Sequence, residues 1–77
     1  MWAVVVKGNI SDPESLRDLA FVASRKFAPQ DRWTYWEENR AEGVAFCFEW
    51  GNAAAIFSAN CALRGLTFQC DYPKNLD

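Results

Sequence analysis

The stretch from Val44 to Trp50 constrains the fold more than any other. Val44, Phe46, Phe48 and Trp50 alternate with Ala45, Cys47 and Glu49. Successive residues of a strand point to opposite faces. This period of two therefore reads as a strand with one bulky face and one face of small or polar groups. The rings on the bulky side need a cover. A chain of 77 residues has room for one core and one domain, 1–77.

The rest of the chain supplies that cover. Trp2 to Lys7 is a β-branched run closed by Gly8-Asn9, and it predicts a first strand. Ser11 followed three residues later by Glu14 is a capping box, with Pro13 in the first turn. Leu16, Leu19, Ala20, Ala23 and Phe27 recur at helical spacing up to Pro29. Arg32 to Glu38 alternates as a second strand, and Asn39 to Gly43 reads as a polar turn. After the Val44–Trp50 strand, Gly51-Asn52 caps a helix over 53–64, with Ile56, Phe57 and Leu63 as its buried anchors. Gly65 is its left-handed stop. Leu66 to Tyr72 reads as the last strand, ended by Pro73.

The order β-α-β-β-α-β in one small domain predicts an α+β, ferredoxin-like fold: two helices on one face of a four-stranded antiparallel sheet. The first and third strands are the most apolar and are expected at the centre, with the charged second and fourth at the edges. The covered face then receives Val4, Val6, Trp33, Tyr35, Val44, Phe46, Phe48, Trp50, Leu66, Phe68 and Cys70. The open face shows Ala3, Val5, Lys7, Arg32, Thr34, Trp36, Glu38, Ala45, Cys47, Glu49, Thr67, Gln69 and Asp71. Of twelve aromatics, this leaves Trp36 as the one tryptophan expected at the surface.

Composition narrows the function. The chain has no histidine, which removes the commonest general base, the Ser-His and Cys-His pairs and the commonest metal ligand. Cys47, Cys61 and Cys70 show no Cys-x-x-Cys spacing and are expected to be small buried hydrophobes. A Cys61–Cys70 bridge is not favoured in a reducing compartment. Glu37 and Glu38 are strand neighbours on opposite faces and cannot flank one substrate. The expectation is a non-enzyme with no cofactor and no metal. A net charge of −2 argues against direct nucleic-acid binding. No apolar run spans a bilayer, and no signal pattern opens the chain. A cytoplasmic protein, monomer or weak dimer, is expected.

The acids are uneven. Residues 1–35 hold five bases and four acids, whereas residues 36–77 hold three and six. Glu37, Glu38 and Glu42 flank the turn between the second and third strands, and Glu49 and Asp71 follow. With Trp36 as anchor, these six residues are the candidate partner-binding site. They form an acidic surface for a basic partner.

Two resemblances bear on this. Val4-Val-Val-Lys-Gly-Asn-Ile10 and Gly43-Val-Ala-Phe-Cys-Phe-Glu49 resemble the first- and third-strand motifs of RNA-recognition motif domains, which would imply single-stranded RNA stacked on the open sheet. Phe46 matches one stacking position. Valines hold two others, Val44 among them, and Glu42 stands where that family has a base. In size, acidity and lack of catalytic motifs, the chain resembles small phage-encoded anti-CRISPR proteins. That likeness implies a stoichiometric inhibitor and DNA mimic in the host cytoplasm, seated on the basic nucleic-acid-binding surface of a CRISPR effector complex. The alternatives are an RNA-binding domain and a small ligand-binding or assembly domain.

Overall fold

The computed structural model describes residues 2–8, 11–27 and 35–73, with the side chains of residues 26 and 27 outside that description. The elements are β1 (Trp2–Lys7), α1 (Pro13–Phe27), β2 (Tyr35–Arg40), β3 (Gly43–Phe48), α2 (Gly51–Leu63) and β4 (Phe68–Asp71). The strands lie in the order β2-β3-β1-β4, and every neighbouring pair is antiparallel. The chain is thus an α+β domain with two helices and a four-stranded antiparallel sheet, and its two most apolar strands are central as expected.

The register fixes the two faces. Val4 lies opposite Phe46, Trp2 opposite Phe48 and Val6 opposite Val44. Both helices press on this side. Leu16, Ala20 and Ala23 of α1 and Ala53, Ala54, Phe57 and Cys61 of α2 join Val4, Val6, Phe46 and Phe48 in one buried cluster. The Phe57 ring stands 4.8 Å from Phe46 and 5.3 Å from Phe48. Tyr35, Val44, Leu66 and Phe68 border this cluster, half-buried.

Several boundaries differ from the sequence reading, each for a local reason. The N-cap of α1 is Asp12, not Ser11: its Oδ1 accepts the Ser15 N–H at 3.2 Å. Pro13 disfavours helical geometry at the residue before it, so the cap falls at Asp12. Asn39 and Arg40 belong to β2, and the turn shrinks to Ala41-Glu42, because Arg40 pairs with Gly43. A Cβ on Gly43 would run into the Val6 carbonyl, so glycine is required where β3 begins. The end of α2 matches expectation. Gly65 is left-handed (φ 71°), and the Gly65 and Leu66 N–H groups bond the Ala62 and Cys61 carbonyls at 3.0 and 3.1 Å, the paired bonds of a Schellman stop.

The covered-face assignments need three corrections. β3 ends at Phe48, so Trp50 becomes the N-cap of α2, which starts at Gly51 and not at Ala53; Trp50 is 40% exposed. Leu63, the last residue of α2, is 85% exposed and no anchor. Cys70 does lie opposite Val4, but on an edge strand of four residues it is exposed. Trp36 is therefore not alone at the surface: Trp50, Phe21, Val22 and Leu63 share it. The assignments of Phe27, Pro29, Arg32, Trp33 and Thr34 lie outside what is described.

These placements make a direct contrast. Phe57→Ala should lower unfolding free energy by about 3–5 kcal/mol, as for other buried rings. Leu63→Ser should change it by less than ~0.5 kcal/mol. Urea denaturation of both variants checks the orientation of α2.

Candidate functional site

The face away from the helices has an unusual floor. Ala3, Val5, Ala45 and Cys47 form a second buried cluster, although both helices pack on the opposite side of the sheet. Long side chains from the edge strands provide the cover. Arg40 on β2 donates from Nη2 to Glu38 and from Nη1 to Asp71 on β4, both at 3.2 Å. Two strands, β3 and β1, separate these edges. At about 4.8 Å per strand the sheet is roughly 14 Å wide between them, and the bridge crosses it diagonally, since Arg40 lies in the row of Gly43 and Lys7 and Asp71 in the row of Ala3 and Cys47. The bridge must lie flat across the small residues of the central strands. Larger side chains at Ala45 or Cys47 would lift it.

Trp36 completes the row. It lies opposite Cys47, and its indole Nε1–H donates to Glu38 Oε2 at 3.1 Å. Glu38 therefore takes the indole on one oxygen and Arg40 on the other. The indole hydrogen bond, then the Arg40 hydrogen bond, hold the Glu38 carboxyl below its ordinary pKa. The Glu38 hydrogen bond in turn raises Arg40. Trp36 remains 44% exposed, so it is both oriented and available.

The six sequence-derived site residues divide. Trp36, Glu38 and Asp71 are brought together through Arg40. Glu37 points to the helix side, opposite Phe46, and pairs with Arg17 of α1 at 3.1 Å. Glu42 sits exposed in the hairpin turn, and Glu49 lies half-buried just past β3. Sequence reasoning missed Arg40 because Asn39 to Gly43 read as a turn. The alternation of Trp36, Glu38 and Arg40 was the available signal. Ion pairs this exposed stabilise little; their effect here is to fix geometry.

A second feature was also missed. Trp2, Trp50 and Tyr72 wall an open cleft of about 640 Å³ with Gly51, Asn52 and Ala55. Trp2 and Tyr72 meet edge-on, 5.1 Å apart. The Trp2 ring lies so close to Gly51 that a Cβ there would sit 3.1 Å from it. Burial pushes the Cys61 thiol up to about 11 and also raises Cys47, so neither is a thiolate nucleophile near neutrality. Among the described residues no group of three or more acidic or cysteine side chains could hold a metal ion, and no helix is long and apolar enough to cross a membrane.

The Glu38 network has a pH signature. A carboxylate held low in the folded state contributes stability above its unfolded pKa and loses it as pH falls through the folded pKa. Trp36→Phe removes the indole donor and should raise the Glu38 titration midpoint toward the ordinary glutamate range, with Arg40→Gln acting in the same direction. Carboxyl-resolved NMR titration reads both. No family model matches the chain, and the curated proteins and solved structures compared with it contain no significant match.

Proposed function

We propose that this chain is a non-catalytic, protein-binding inhibitor of the anti-CRISPR type. It is a ferredoxin-like domain that docks its open sheet face and β2–β3 hairpin on the basic nucleic-acid-binding surface of an effector complex in the cytoplasm. The ferredoxin-like assignment draws on the strand order and the antiparallel register. One observation carries the docking reading: a half-exposed tryptophan fixed by its own hydrogen bond on a flat floor. Tryptophan is enriched among interface hot spots, and a side chain ordered beforehand loses less entropy on binding.

The electrostatics sharpen the mode. Arg40 neutralises much of Glu38 and Asp71, and Arg17 sits on Glu37. The surface is therefore an alternating ladder with an acidic margin at Glu42 in the exposed turn, rather than a uniform negative field. Contact with Trp36 supplies affinity, and the acids steer approach. The test is capture from a host lysate followed by kinetics on the recovered complex. Trp36→Ala should weaken binding by at least about tenfold, or ~1.4 kcal/mol. Charge reversal at Glu38 and Glu42 should slow association, most clearly at low salt. Recovery of RNA alone, or an unchanged on-rate, would contradict the reading.

The Trp2–Trp50–Tyr72 cleft favours a second reading, a small ligand-binding domain, since its volume falls in the usual range of ligand sites. In that case a planar ligand should quench tryptophan fluorescence, and Trp50→Ala should abolish the quenching. RNA recognition draws least support. The central strands carry Ala3, Val5, Ala45 and Cys47 toward the open face, and Phe46 lies in the core.

A further inference from the structure

The two edges of the sheet are built differently. β2 carries Glu37, Glu38 and Arg40 along six residues, and charged side chains are how edge strands resist added strands. β4 reads Phe-Gln-Cys-Asp, with Gln69, Cys70 and Asp71 exposed. Its single charge is turned inward across the open face to Arg40. Among the described residues no strand lies outside it.

The hydrogen-bond phase shows what this edge offers. The Lys7 N–H donates to the Thr67 carbonyl at 2.9 Å. Bonded and non-bonded pairs alternate along an antiparallel ladder. Gln69 and Asp71, opposite Val5 and Ala3, therefore turn their backbone groups to β1. Phe68 and Cys70 turn theirs outward.

The neighbouring side of α2 is equally uncharged. No Asp, Glu, Lys or Arg occurs from Gly51 to Leu63. Ala55, Ser58 and Ala62, three or four residues apart, share one side of α2, and Ala55 places it toward β4 by lining the cleft with Tyr72. Ala55 and Ala62 are exposed. Arg64, just beyond the helix, is turned away to Ser15 of α1.

We propose that two copies of this chain associate through the outer edge of β4 and the adjoining side of α2. Antiparallel β4–β4 pairing about a two-fold axis continues the sheet from four strands to eight. Charge selects a second copy as the occupant. Each chain carries a net charge of −2, so identical copies repel overall, whereas the one charge this strip brings to the contact, Asp71, is already paired with Arg40. A standard interface takes about 800 Å² per partner, near one-sixth of the 5056 Å² accessible here. Four strand residues fall short of that. A strand edge with one side of a helix roughly 20 Å long reaches the low end, which makes the dimer weak and concentration-dependent. This surface meets the Trp36 face only at Asp71, which the substitutions below leave in place, so dimerisation stands or falls independently of the inhibitor reading.

Light scattering after size exclusion, from micromolar to millimolar chain, tests it. The expected result is a mass that doubles with concentration. Cys70→Lys and Ala62→Glu, both at exposed positions, should each weaken the dimer at least about tenfold by setting like charges across the axis. Asn39→Lys on β2 should leave it unchanged. Mixing Cys70→Lys with Cys70→Glu chains should restore association, which separates repulsion from misfolding. A chain that stays monomeric, alone or with another protein seated on this strip, overturns the proposal. A dimer broken by Asn39→Lys instead, or a mixture that fails to associate, overturns it as well.

Discussion

Everything in this structure depends on the pairing of β1 with β3. Their register sets Val4 against Phe46 and Trp2 against Phe48 on one face, and Val5 against Ala45 and Ala3 against Cys47 on the other. A slip of one residue would exchange the two faces. With this register the bulky side becomes the floor of the helix layer, where Phe57 of α2 wedges between Phe46 and Phe48. The small side becomes a platform low enough for an arginine to lie across it. The covered face thus supplies most of the hydrophobic stabilisation. The open face supplies shape.

That division explains why charged side chains occur over a buried patch at all. Arg40 is three-quarters buried on side-chain area, yet both its partners reach solvent. It therefore avoids the desolvation cost of a fully interior ion pair and still shields four small apolar residues. Trp36 is held at the rim of the same network through Glu38. The network reaches β4 through Asp71, and the aromatic cleft at the start of α2 adjoins the same edge through Ala55 and Tyr72.

The sequence made the sheet legible where side-chain size alternates. Val44 to Phe48 and Val4 to Val6 gave the central strands and both faces, and Gly65 gave the end of α2. It was less informative where local and tertiary preferences compete. Asn39 and Arg40 are polar and sit beside a glycine, which is a turn signature, yet the ladder to β3 extends through them. Trp50 continues the alternation of β3 in sequence, but the backbone leaves the sheet after Phe48 to begin α2. Leu63 keeps helical spacing with buried positions but falls at the helix end, beyond the core. The acidic cluster was legible as composition only. Which base neutralises which acid depends on strand order, and the bridge from Arg40 to Asp71 joins residues 31 apart in sequence.

The central claim, that the Trp36 face is the docking surface, is tested most directly by amide hydrogen exchange on the complex with the captured partner. The account predicts slowed exchange along β2 and its hairpin with β3, together with protection of the Trp36 indole N–H, while the residues around Trp2, Trp50 and Tyr72 exchange as in the free chain. Protection confined to that aromatic cleft, with β2 and the Trp36 indole unchanged, would contradict it.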